Sequence, residues 1–253
     1  MRWGAIALLV LALAGCGPSA GKTPAQAAPA AVKASDLDRA FQAAFGAAPP
    51  ALRVVARDGE TETTLRYRPA RLVELGDRVA LVSEGQTDGC HGCYGSLAVH
   101  YLRRAPGGGF RLIGAWPELV DGTSFGAPPD WKLRTDLFPA PAIEASGGGT
   151  WQGCTIAKAD FVELTPEKPV VRARQVLTAW TTDVTDEAAL EGKARPLRPG
   201  QSFAMDYEGA GRLTVEYRRT GEVYAPVGAQ AANRKSTRLN SSHTDISRMP
   251  SSA

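Results

Sequence analysis

From residue 35 onward the chain changes its hydrophobic period once. Leu37, Phe41 and Phe45 recur every four residues, on one stripe of a helix. Ser35 supplies a capping hydroxyl, and Asp36 and Asp38 suit the positive end of the helix dipole. Gly46 and the pair Pro49-Pro50 end that helix, and beyond them the period is two. Thr63, Leu65 and Tyr67 alternate with Glu62, Thr64 and Arg66, and Asp58-Gly59 joins them to the run 52–57 as a hairpin turn. Four more hairpins follow. They pair 71–75 with 78–83 across Gly76-Asp77, 96–103 with 110–115 across Gly107-Gly108-Gly109, and 157–164 with 170–180 across "TPEKP". In the last, Phe203, Met205 and Tyr207 face Leu213, Val215 and Tyr217 across "EGAG".

The pattern predicts a mainly β domain of about ten strands in five antiparallel hairpins, with one short N-terminal α-helix and about 175 residues, enough for a core of its own. A sandwich, a curved sheet and a partial propeller-like arrangement all suit it. The propeller rests on a faint repeat between "HGCYGSLAVHYLRRAPGGGFRLIGAW" and "QGCTIAKADFVELTPEKPVVRARQVL", which share Gly-Cys, an alternating strand, a Pro-containing turn and a second strand.

Neither end of the chain fits this pattern. Residues 1–16 read "MRWGAIALLVLALAGC", one early charge and an apolar run too short to span a bilayer, which is the form of a secretion signal. Its end, Leu13-Ala14-Gly15-Cys16, resembles the lipobox of bacterial lipoproteins. That resemblance implies a signal peptide over 1–15, lipid on Cys16 and stable attachment to a membrane by more than one acyl chain. Gly17 after the cysteine implies the outer membrane of a Gram-negative cell, with the domain facing the periplasm. Residues 16–34, rich in Ala and Pro with nothing large to bury, read as a tether. The "GPSAGKT" within it lacks the first glycine of a phosphate-binding loop, because Cys16 stands there.

From Arg234 the sequence "RKSTRLNSSHTDISRMPSSA" has no hydrophobic period. It resembles a translated sequencing adapter: CGG AAG AGC ACA CGT CTG AAC TCC AGT CAC encodes Arg234 through His243, and TCT CGT ATG CCG TCT TCT GCT encodes Ser247 through Ala253. The resemblance implies a non-native tail over 234–253, a missing natural C-terminus, and a single β-rich domain over 35–233.

This changes the charge. The full chain carries 29 Lys and Arg against 26 Asp and Glu. Without Arg2, Arg234, Lys235, Arg238, Arg248 and Asp245 the counts become 24 and 25, so net charge gives no reason to expect a nucleic-acid partner.

The candidate chemistry is concentrated in two places. In "TDGCHGCYGS", Cys90 and Cys93 flank His91 in a glycine-rich loop between two strands, and secretion would place them in an oxidising compartment. Haem attachment needs histidine directly after the second cysteine, where Tyr94 stands. With Cys16 lipidated, Cys90, Cys93 and Cys154 remain, so one structural disulfide is expected: Cys90–Cys93 first, Cys93–Cys154 as the alternative. The competing readings are a thiol-disulfide centre on Cys90-His91-Gly92-Cys93 and a zinc site drawn from Cys90, His91, Cys93, His100 and Cys154. A redox centre would require a helix starting at the cysteines, and no helical pattern follows them.

The second place is 117–150, rich in Pro and Gly, with short strand pieces near 131–134 and 142–145. Long irregular loops often bind ligands. Trp116, Phe125, Trp131, Phe138 and Trp151 are its candidate aromatic contacts, with Glu118, Asp121, Asp130 and Asp136 as polar partners. The same aromatics would equally serve to plug the ends of a sheet.

No catalytic set is identified and no cofactor is expected. The expected function is that of a lipid-anchored envelope protein whose β-rich domain binds an envelope glycan or protein, or serves structurally.

Overall fold

The structure, a computed structural model, describes residues 35–57, 61–89, 92–181, 189–209 and 211–228. These belong to one compact unit that begins at Ala34. Strand makes up 67% of the structure and settles the class as mainly β.

The chain opens with α1 (Asp36–Phe45). The Ser35 hydroxyl accepts the Asp38 N–H at 3.1 Å, and Gly46 ends the helix at φ 71 while its N–H caps Gln42 O. Five strands then meander through one antiparallel sheet: β1 (Ala51–Arg57), β2 (Thr61–Leu75), β3 (Arg78–Thr87), β4 (Ser96–Arg104) and β5 (Phe110–Asp121). A 3-10 turn at Ser124–Gly126 leads into a second antiparallel sheet of eight. Its strands are β6 (Asp130–Arg134), β7 (Ala142–Trp151), β8 (Cys154–Leu164), β9 (Pro169–Thr181), β10 (Leu190–Arg198), β11 (Ser202–Gly209), β12 (Arg212–Thr220) and β13 (Val223–Pro226). One of the two sheets curls into a half-barrel. The two copies of the sequence repeat, β4–β5 and β8–β9, fall within sheets of five and eight strands that share one core, not in the separate four-stranded blades of a propeller.

Alternation along each strand supplies two faces and hence three cores. In β3, Leu81 faces α1 and packs with Phe41, Leu65, Tyr67, Ala98 and Leu102. Its neighbours Ala80 and Val82 face the other way, where Val99, Tyr101 and Val120 meet Ile143, Ala145, Val162 and Leu164 of the second sheet. The opposite face of that sheet encloses Leu137, Phe138, Phe161, Phe203, Met205 and Tyr224. The Arg172 guanidinium donates to Glu222 O at 2.7 Å, tying β9 to the β12–β13 turn.

Glycines recur beneath aromatic rings. Tyr67 lies across Gly85, its partner in the β2–β3 ladder, so closely that an added Cβ would sit 2.6 Å from the ring. Tyr207 covers Gly192 in the β10–β11 ladder in the same way. Both rings are buried and aligned by the missing side chain opposite them.

Two sequence expectations need correction. β2 continues through Pro69, which sits at a bulge between Pro69 and Arg71, where a missing N–H is tolerated; the proline does not divide two strands. Most of 117–150 is not an irregular loop, because β5 runs to Asp121 and β7 runs unbroken through Gly147-Gly148-Gly149 to Trp151.

Candidate functional site

At the triple glycine in β7 the backbones of the two sheets come into direct contact. A Cβ on Gly147 would lie 2.2 Å from Gly122 O, and one on Gly122 would lie 2.2 Å from Ala127 O. Gly95 completes the seam: its N–H donates to Ala127 O at 3.1 Å and its carbonyl accepts the Gly122 N–H at 2.9 Å. Only residues without side chains let β5 and the following turn press onto the face of β7.

Beside this seam the sheets part, and the space between them opens into a cleft of about 1020 Å³. One wall is the end of β5, with Glu118 and Asp121, and Tyr94 stands over it from the Cys93 loop. The other wall is β8. Val162 and Leu164 belong to the dry core between the sheets, and stepping back by twos along the same face gives Asp160, Lys158, Ile156 and Cys154, all lining the cleft. Trp151 closes the top. The edge of its ring reaches Gly149, where an added Cβ would meet Trp151 Cη2 at 2.6 Å, and the residue remains 39% exposed. The two residues after it, Gln152 at φ 50 and Gly153 at φ 83, form a left-handed two-residue turn between the paired Trp151 and Cys154.

The floor is set by a bulge in β9. Ala159 pairs with Val176 and Phe161 with Ala173, so Asp160 stands opposite two residues, Arg174 and Gln175. Gln175 is held in the left-handed region at φ 53, and its N–H is turned from the ladder onto Asp160 Oδ1 at 2.8 Å. Arg174 Nη1 lies 3.5 Å from Asp160 Oδ2. Asp160 is only 4% exposed, and burial raises its carboxyl above the usual range against the opposing pull of the Gln175 N–H and Arg174. The bulge therefore anchors itself on a buried carboxylate and aims Arg174 and Gln175 into the cleft.

Of the five aromatic candidates, the structure brings only Trp151 to this site, and Phe138 is buried in the core on the far face of the second sheet. Trp116 packs edge-on against Tyr101, with ring centroids 5.1 Å apart, and serves the core. Trp131 Nε1 donates to Glu84 Oε1 at 2.7 Å beside a separate surface depression. Phe125 is exposed, at φ 63 in the 3-10 turn. Asp130 is exposed at the start of β6, and Asp136 pairs with Arg134 at 2.8 Å.

The cysteine candidates also separate. Cys93 is disulfide-bonded, and its carbonyl accepts the Gly126 N–H at 2.8 Å, fixing the loop to the 3-10 turn. Cys90 and His91 lie outside the described residues, as does Cys16. Cys154 holds a thiol on the cleft wall, so the alternative Cys93–Cys154 bridge is not formed. His100 is far from any such grouping in role: it is 3% exposed on the α1 face of the first sheet, its ring 4.6 Å from that of Phe45. Burial and the Arg53 charge lower its pKa to about 4. Among the described residues no three His, Cys, Asp or Glu side chains are placed to hold a metal ion.

Tyr94, Lys158, Asp160, Arg174 and Gln175 were not singled out by sequence reasoning. The signal was present in "CTIAKADFVEL", where one strand face changes from Lys158 and Asp160 to Val162 and Leu164. Compared with known proteins, the chain matches no family model, no curated protein and no solved structure.

Proposed function

We propose that this protein is a lipid-anchored envelope component, attached through Cys16 to the outer membrane and facing the periplasm, whose β domain binds a small envelope ligand in the cleft under Trp151. The observation that carries the reading is the cleft itself. Its volume of about 1020 Å³ is at the upper end of small-molecule sites, and it combines two aromatic rings with charged groups of both signs. A bulge that re-aims two polar side chains, with one non-glycine residue at positive φ, is a feature that clusters at binding and active sites.

The Cys90 loop takes a supporting role in this reading. We assign the partner of the disulfide-bonded Cys93 to Cys90, which would close a short ring in the loop that brings Tyr94 to the cleft lining. The segment from Gly92 runs directly into β4 with no helix among the described residues, so a thiolate-stabilising dipole is missing at Cys93, which favours a structural bond over a redox centre.

Titration calorimetry with soluble disaccharide fragments of the envelope glycan tests the site. Heat of binding that is lost in Trp151→Ala supports it. Absence of binding, or binding indifferent to that substitution, contradicts it. Incorporation of a fatty-acid label in cells that disappears in Cys16→Ser supports the anchor, and labelling that persists contradicts it.

A further inference from the structure

Resting on that reading, we infer that the cleft selects an acidic sugar, a ring bearing a carboxylate substituent, and that Lys158 is the residue that recognises the acid. The charges that line the cleft are mostly matched within the protein. Arg174 faces Asp160 at 3.5 Å, and Glu118 faces Arg53 at 3.8 Å. Lys158 makes no ion pair among the described residues, yet it stands half-buried on the cleft wall, between Ile156 and Asp160 on one face of β8. A lysine on a cleft wall with no counter-ion among the described residues is the place where an incoming carboxylate gains most, because it forms a charge-assisted hydrogen bond that none of those residues already satisfies.

The remaining chemistry suits the rest of such a ligand. Trp151 lines the cleft and remains 39% exposed, so its indole is available as an apolar platform for a sugar ring. The side-chain oxygens of Glu118 and Asp121 accept hydrogen bonds, so this side of the cleft matches hydroxyl and amide donors and disfavours a second acid. Gln175 offers an amide that both donates and accepts. One acid beside Lys158 and a ring of hydroxyls toward β5 is the pattern this wall arrangement accepts.

The test uses two probes that differ only in the charge: N-acetylglucosaminyl-N-acetylmuramate and its primary amide, in which the lactyl carboxylate is a neutral carboxamide. Calorimetry on the full chain and on Lys158→Met, which keeps the side-chain length, gives four affinities. The expected result is tighter binding of the acidic probe by roughly tenfold, the scale of one charge-assisted hydrogen bond, with Lys158→Met reducing that preference to near unity while still binding the neutral probe. Equal affinity of the two probes for the native protein overturns the acid selection and leaves the cleft reading standing. A preference that survives in Lys158→Met overturns the role of Lys158. Failure of both probes to bind overturns the cleft reading and this inference with it. An unchanged melting temperature of Lys158→Met excludes misfolding as the cause of a lost preference.

Discussion

Gly147→Ala is the substitution that probes how the two sheets are joined. The added methyl would lie 2.2 Å from Gly122 O, 2.8 Å from Gly122 C and 2.9 Å from Asp121 O, all backbone atoms. Carbon and oxygen need well over 3 Å, so one strand must withdraw by about 1 Å. Neither strand is free to do so, because β7 is paired along its length to β8, and Gly122 N is bonded to Gly95 O at 2.9 Å. Forced overpacking of this kind costs about 1–3 kcal/mol. For a domain of this size a loss of about 2 kcal/mol lowers the melting temperature by about 4–8 °C. The control is Gly109→Ala in the other triple glycine, where nothing lies within 4 Å of the added Cβ and φ is not positive. There the change should be near zero or slightly stabilising, by up to about 1 kcal/mol through the unfolded chain. Thermal unfolding followed by circular dichroism compares the two. Melting temperatures of both variants within about 1 °C of the native protein would refute the close approach at the seam.

Two further substitutions test the interior. His100 is neutral when folded, with its pKa lowered to about 4, while the unfolded chain takes up a proton near 6.5. Stability is therefore complete above 6.5 and declines as pH falls toward about 4, by about 3 kcal/mol in all; His100→Leu should remove this component from urea midpoints measured across that range, and an unchanged pH profile would contradict it. Arg172 Nε lies 2.6 Å from Glu163 Oε2, and both side chains are buried. Arg172→Ala strands that carboxylate and should cost about 3–5 kcal/mol in urea unfolding, whereas a loss below about 1 kcal/mol would mean that Glu163 is held by the Ala140 N–H alone.

Local pairing was readable from the sequence because alternation and turn residues are local. The helix with its Ser35 cap and Gly46 stop appears as expected, and Phe203, Met205 and Tyr207 pair with Tyr217, Val215 and Leu213 in the register the alternation implies. What escaped was non-local. Two triple glycines look alike in the sequence, yet Gly107-Gly108-Gly109 makes a turn with positive φ at its first two residues, and Gly147-Gly148-Gly149 continues a strand where another backbone presses on it. The strand β10, "LEGKARPLR", carries little apolar alternation, and its place follows from pairing with β11. The candidate site was half visible. Trp151, Glu118, Asp121 and Cys154 were named, but Lys158, Asp160, Arg174 and Gln175 became a group only when a bulge in β9 turned two of them toward β8.

The central claim is that ligand sits under Trp151. Its most direct test is the fluorine NMR spectrum of the fluorotryptophan-labelled protein, with the signals of Trp151, Trp131 and Trp116 assigned by substitution to Phe. On addition of N-acetylglucosaminyl-N-acetylmuramate the Trp151 signal should move while those of Trp116 and Trp131 stay in place. A Trp151 signal that stays still while Trp131 responds, or a spectrum with no change at saturating probe, would contradict the account.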